Sequence, residues 1–382
     1  MTSTLIFWSA AALAIYAWAG YPLLLMALAP ITNRAVRKGR VTTPVTFIIT
    51  AYNEELRLRD KIENTLAQDY PASSLEIIVA SDCSTDRTDE IARGYERVRL
   101  VRASERRGKE AAQQRALEAA TGEVIVFSDV ATALAPGAVS AIVANFADPT
   151  VGCVSSVDRL VDAHGRVSGE GAYVRYEMWL RRLETRVDSL VGLSGSFFAV
   201  RREVCRLWSA DRQSDFSTAL HAVALGYRAV LDSESVGHYC PIADDRGEGG
   251  RKTRTVVRGL AVLARNVHML NPFRYGLFAW QLASHKLCRW LVPMAMIAAA
   301  AANLLLLSES PIYVATFALQ AAFYGAAALG IWTGAPALRI PAFLVLSHAA
   351  ILVAWYRFVC GERMTSWTPS RRLATLPPIK PR

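Results

Sequence analysis

From Met1 to Asn33 the chain carries no charged side chain, and the run TLIFWSAAALAIYAWAGYPLLLMALAP is long enough to cross a bilayer as a helix. Three more uncharged runs stand near the other end, at Trp290–Ser308, Ser310–Leu338 and Ile340–Tyr356. No other feature restricts the fold as much, because a bilayer interior accepts only helices or closed barrels. The 52% apolar content of the 382 residues is concentrated in these runs. The polar stretch between them is large enough for a domain of its own. The expected layout is a transmembrane helix at 1–33, a globular domain at 41–265 and an amphipathic, interfacial linker at 266–289. Transmembrane helices at 290–358 and a basic tail at 359–382 complete it.

The first run is expected to be retained rather than cleaved. Although ALA at 27–29 resembles a cleavage site, no basic residue precedes the apolar run, which exceeds the length of a signal-peptide core. Arg34, Arg37, Lys38 and Arg40 crowd its end, so the positive-inside rule puts the middle domain in the cytoplasm, with a bacterial inner membrane as the expected location. The net charge of +10 then reads as attraction to membrane lipids; no RNA-binding motif or zinc-finger spacing points to nucleic acid. Six scattered cysteines without a CxxC suggest neither a disulfide framework nor a zinc site. The tail raises a conflict. Three helices after a cytoplasmic domain put it outside, yet it carries Arg357, Arg363, Arg371, Arg372, Lys380 and Arg382. Either one apolar run is interfacial or re-entrant, the His348-bearing last run first among them, or the tail departs from the charge rule.

The middle alternates strand and helix patterns. Strands are expected at 45–50, 76–81, 98–102, 123–128, 151–157, 196–201 and 228–232. Helical patterns fall at Leu58–Leu66, 87–95, 109–121 and Phe216–Leu225. Such alternation implies an α/β domain with a mostly parallel, mixed sheet. ADDRGEGGRKTR, 243–254, reads as a charged, glycine-rich loop of the kind that covers a site. Polar clusters end three strands: Asn53-Glu54-Glu55, Asp82 to Asp86, and Ser128-Asp129. In a parallel sheet those ends share one edge, where ligands bind. Each cluster alone also has a structural explanation as a turn or helix cap.

The order of these pieces, from about Val45 to Arg258, resembles family 2 glycosyltransferases, and most closely the membrane-bound cellulose- and chitin-synthase-like branch. The resemblance implies a GT-A nucleotide-sugar fold flanked by membrane helices, and an inverting transfer. AYNEE matches a segment that meets the nucleotide through Asn53 and Glu54, with Ala51 where a proline is usual. SDCSTDRT matches the segment whose Asp82 accepts from the base, with Ser81 and Cys83 replacing an Asp and a Gly. RRGKEAA places Lys109 near a phosphate. In VFSDVAT the family has Asp-x-Asp for a divalent cation, Mg²⁺ or Mn²⁺; Asp129 is present but Ala131 replaces the second acid. GLSGSFF resembles the small-residue segment beneath sugar and acceptor, with Gly195 and Ser196. QSDFSTALHAVALGY puts Asp215 at the position of the catalytic base, with Ser214 where an acid often stands. The Gln-x-x-Arg-Trp of processive members is absent; Arg254 and Arg258, four residues apart, stand there and are expected on the diphosphate.

The resemblance therefore implies a membrane-bound enzyme that moves a hexosyl or N-acetylhexosaminyl unit from a nucleotide-sugar donor, UDP-linked by expectation. The acceptor would be a polysaccharide or lipid-linked glycan of cell-envelope or exopolysaccharide synthesis, with other assembly proteins as partners. The missing acids at Ala131 and Ser214 leave open a catalytically silent, nucleotide-sugar-binding scaffold subunit. Membrane transport is disfavoured, since only His348 is ionisable within an apolar run.

Overall fold

The computed structural model describes residues 1–160, 171–239 and 245–362. The chain divides into two compact units, a helical one from Met1–Ala27 and Asp245–Arg363 and an α/β one within Leu28–Asp244. Helix α1, Thr2–Ile15, runs through a π-turn at Tyr16–Gly20 into α2, Tyr21–Thr32.

The α/β unit is a sheet of eight strands. They are β1 Val45–Ala51, β2 Leu75–Ser81, β3 Val98–Arg102, β4 Val124–Asp129, β5 Ala133–Leu134, β6 Val151–Leu160, β7 Phe197–Arg201 and β8 Arg228–Tyr239, in the order β3-β2-β1-β4-β7-β6-β8-β5. Strands β1 to β4 pair in parallel, β7 runs antiparallel to β4 and β6, and β6 pairs in parallel with β8. Helices α3 Leu58–Leu66, α4 Thr88–Arg93, α5 Lys109–Ala119, α6 Ala138–Ala144, α7 Gly171–Val187 and α8 Ser214–Ala224 cover it.

Every residue of β1 is buried, because both faces of the sheet are covered. Phe47 and Ile49 pack with Ile77, Val79 and Val126 on one face; Ile48 packs with Ile78, Ile125 and Phe127 on the other. Burying one such side chain fully is worth roughly 1.5–3 kcal/mol. The two threonines of β1 are satisfied internally. Thr46 Oγ1 donates to Glu76 and accepts from Gly122 N, and Thr50 Oγ1 accepts from Gln113 Nε2 at 3.1 Å. Phe127 stacks on Phe198 and Trp208 with centroids 4.9 and 4.8 Å away.

The helical unit continues with α9 Asp245–Arg265, α10 Pro272–Leu282, α11 Arg289–Leu306, α12 Pro311–Thr333 and α13 Arg339–Val359. Among the described residues, four helical stretches are long and apolar enough to cross a membrane: Thr2–Thr32, Pro272–Leu306, Pro311–Thr333 and Pro336–Val359. The stretch bearing His348 is thus no shorter than a span requires. The segment expected as a linker is helical from Pro272, capped by Asn271, and leads into α11.

One expectation is corrected. The loop at 243–254 is, from Asp245 on, the first half of α9, while 243 and 244 lie outside the described residues. Thr253, Val257 and Leu260 form a buried stripe, and packing of that stripe outweighs the helix cost of Gly249 and Gly250. Of the basic tail, residues 363–382 lie outside the described residues.

Candidate active site

Parallel pairing brings the C-terminal ends of β1, β2 and β4 to one edge, with Ala51 beside Ser81 and Thr50 beside Asp129. Two loops there are laced together. Asn53 accepts from Thr85 N at 2.8 Å and donates from its own N–H to Ser84 Oγ at 3.2 Å. Glu54 N donates to Thr88 Oγ1 and Glu55 N to Asp86, while Thr88 N donates back to Asp86. Most of the polar cluster after β2 therefore serves turn and cap chemistry, as the structural explanation requires. Asn53 and Cys83 hold φ values of 52° and 60°, the left-handed region that disfavours a Cβ. Such a value at 83 accounts for a glycine being usual there. Glu54 is buried against Arg57.

Asp82 differs from its neighbours. It is fully buried, and its carboxylate accepts from Arg107 N and Gly108 N at 3.0–3.1 Å. Gly108 has φ 99°, which a side chain would oppose, and this turn aims both N–H groups at Asp82. Burial raises the Asp82 pKa, against those donors and Arg106, which lower it. The Arg106 guanidinium lies 3.9 Å from the centroid of the Tyr52 ring.

Gly108 also opens α5, whose first residue is Lys109. Lys109 Nζ donates to Asp129 Oδ1 at 2.5 Å and to the Gly195 carbonyl at 2.9 Å. Burial would lower the Lys109 pKa, but Asp129, with Glu110 and Asp215, raises it above the ordinary lysine value, so the ammonium is charged. A second lysine underlies the same strand end. Lys61 of α3 is buried and donates to Ser128 Oγ and to the Thr132 carbonyl, both at 2.7 Å. Burial lowers its pKa to about 7, against the raising effect of Asp129.

The segment before β7 joins the rest. Leu193 N donates to the Asp215 carbonyl, and the Ser196 carbonyl accepts from Asp129 N. A Cβ on Gly195 would sit 2.9 Å from Asp215 Oδ2, so the catalytic-base candidate lies directly against that backbone. Phe216 N donates to Asp215 Oδ1 at 2.9 Å. Ser194 and Ser196 both donate to Asp158 near the end of β6. Burial raises the Asp158 pKa, the serines and Arg181 lower it, and Asp129 raises it.

Asn53, Glu54, Asp82, Lys109, Asp129, Gly195, Ser196 and Asp215 thus occupy one edge and its adjoining turns. Arg254 and Arg258 lie one turn apart on α9, in the helical unit. Lys61, Arg106 and Asp158 join the site without having been anticipated. A lysine within the apolar stripe Leu58, Ile62 was the legible signal for the first. An Asp at the end of the polar-apolar SSVD was that for the last. A shallow basin of about 550 Å³ bounded by Gln114, Arg201 and Arg202 lies at the opposite strand ends, away from this cluster.

Mg²⁺ and Mn²⁺ on a diphosphate take one or two carboxylates besides phosphate oxygens. In the β4 turn only Asp129 is acidic, one of its oxygens already faces Lys109, and Ala131 offers no side-chain ligand. Among the described residues no three His, Cys, Asp or Glu side chains converge. The residues of this turn do not fit a two-acid cation site.

Residues 46–208 match the glycosyl transferase family 2 model. A beta-monoglucosyldiacylglycerol synthase from Nostoc is 25% identical over 45% of this chain and 39% of its own length. A dolichyl-phosphate beta-glucosyltransferase from Drosophila melanogaster is 36% identical over 22% of this chain and 29% of its own. The matches therefore span well under half the length of these relatives. A mannosyltransferase from Pyrobaculum calidifontis, solved with GDP-Man and Mn²⁺, superposes with a TM-score of 0.72 at 26% identity, covering 93% of this chain and 99% of that one. The α/β unit, which contains the matched residues, has a GT-A-like fold with a mixed sheet.

Proposed function

We propose that the chain is a membrane-embedded, inverting glycosyltransferase that moves a sugar from a nucleotide-sugar donor to a lipid-linked or polysaccharide acceptor. The carrying observation is the approach of Asp215 to Gly195 in the same turn whose carbonyl holds Lys109. A base is thereby set beside a buried ammonium, which is what transfer from a diphosphate ester needs.

In this reading Asp82 and Asn53 border the base and ribose, and Lys109 meets the diphosphate. Asp215 takes the proton of the acceptor hydroxyl as its oxygen attacks the anomeric carbon from the face opposite the diphosphate. Relatives named for glucosyldiacylglycerol and dolichyl-phosphate support a lipid acceptor, and the four apolar helical stretches would keep such an acceptor close. Arg254 and Arg258 remain candidates for the diphosphate.

The test is nucleotide release by detergent-purified protein offered UDP- and GDP-sugars with lipid acceptors. Turnover is expected with one donor, and Asp215→Asn should lower it by about a thousandfold or more while donor binding persists. Turnover undiminished in Asp215→Asn would remove the base assignment. Donor binding without any turnover in the wild type would favour the scaffold reading.

A further inference from the structure

We propose that the donor's diphosphate is met by an N–H of the chain's own Lys109 and that this site works without a divalent cation. The inference rests on reading the site as one for glycosyl transfer. An ammonium has three N–H groups. Lys109 commits two, to Asp129 Oδ1 and the Gly195 carbonyl, and the third is left for a phosphate oxygen. The side chain is only 11% exposed and Asp129 27%, so the charge acts where water screens it little.

Two further observations point the same way. Ala131 removes the second carboxylate from the β4 turn, while one oxygen of the first is engaged by the lysine. Lys61 braces the turn from beneath through Ser128 Oγ and the Thr132 carbonyl. The turn is thus tied internally, by lysine N–H groups. In the transfer, the bond from the anomeric carbon to the β-phosphate oxygen breaks and its electron pair leaves with the diphosphate. The acceptor oxygen forms the new bond and its proton passes to Asp215. The negative charge gained by the leaving group falls beside Lys109.

The experiment is calorimetric titration of UDP and GDP into the detergent-purified full chain, in EDTA and then in Mn²⁺. Mn²⁺ is the ion to offer because the mannosyltransferase of like fold was solved with it. The affinity of the nucleotide that binds is expected to agree within about twofold between the two conditions. Lys109→Met should weaken it by roughly tenfold to a hundredfold in EDTA, the worth of one charge-assisted hydrogen bond. Affinity that collapses tenfold or more in EDTA overturns the proposal, and so does a Lys109→Met protein that binds like the wild type. Should Lys109→Met fail to fold, the comparison of EDTA with Mn²⁺ on the wild type still decides. If neither nucleotide binds in either condition, both this proposal and the reading of the site fall. Mn²⁺-dependent binding overturns this proposal alone.

Discussion

Gly195 is the residue on which the geometry of the site turns. Its carbonyl holds Lys109, and its missing side chain leaves room for the Asp215 carboxylate. Gly195→Ala would put a methyl 2.9 Å from Asp215 Oδ2, and the carboxylate, not the backbone, would move. Displacing a base by about an ångström costs on the order of a hundredfold in rate. The variant should therefore lose turnover to that extent while its nucleotide affinity and circular dichroism match the wild type; unchanged turnover would show that Asp215 is not set by this contact. Cys83 makes the complementary point. At φ 60° it holds a backbone that costs an L-residue about 1–2 kcal/mol. That strain persists because Ser84, Thr85, Asp86 and Thr88 all bond into the adjoining loop 53–55.

Among the elements, α8 couples the site to the core. Asp215 stands in its first turn, while Phe216, Leu220 and His221 are buried. Burial, with Arg212 adding, lowers the His221 pKa to about 4. The folded value lies below the unfolded one of about 6.5, so below that pH the unfolded chain takes up the proton first. Stability is then unaffected above pH 6.5, falls as pH drops towards 4, and levels off below it. The full effect is on the order of 3 kcal/mol. In thermal melts from pH 7 to 4, His221→Leu should flatten this decline, and a slope equal to that of the wild type would place the sensitivity elsewhere. Strand β8 behaves differently from its sequence. Asp232 to Ser235 look like a turn, yet the strand continues to Tyr239 through a register shift between Ser155 and Val157 on β6. Asp232 makes this possible by accepting from Lys38, Asn145 and Ser235 inside the fold.

The chain carries a GT-A-like α/β domain together with helices apolar enough for a bilayer. Leu5, Ile15, Leu305, Leu319, Ile331 and Trp332 are exposed on those helices, which a hydrocarbon phase would cover. Membranes washed with alkaline carbonate and high salt should therefore retain the chain in the pellet. Release into the supernatant would mean attachment by charge alone. The basic residues after α2 are partly engaged already: Arg34 pairs with Asp188, and Lys38 with Asp232 and Glu234. Their count therefore overstates the charge free to meet lipid.

Strand and helix positions in the α/β unit were readable because buried parallel strands are largely apolar runs, and β1, β2 and β4 are such runs. The shared edge of Asn53, Asp82 and Asp129 followed from parallel pairing alone. Helix α7 escaped notice, and α9 was mistaken for a loop, because charged residues, and in α9 glycines, interrupt the stripe that packing buries. The partners of the acids were likewise set by packing. Asp82 faces two backbone N–H groups, Asp129 faces Lys109, and Asp158 joins them from a strand that no local pattern connects to the others. Local sequence fixes where a chain extends, coils or turns, since that depends on a residue and its near neighbours. Which charge meets which depends on the long-range closure of the sheet, and that is where this site acquires its lysine.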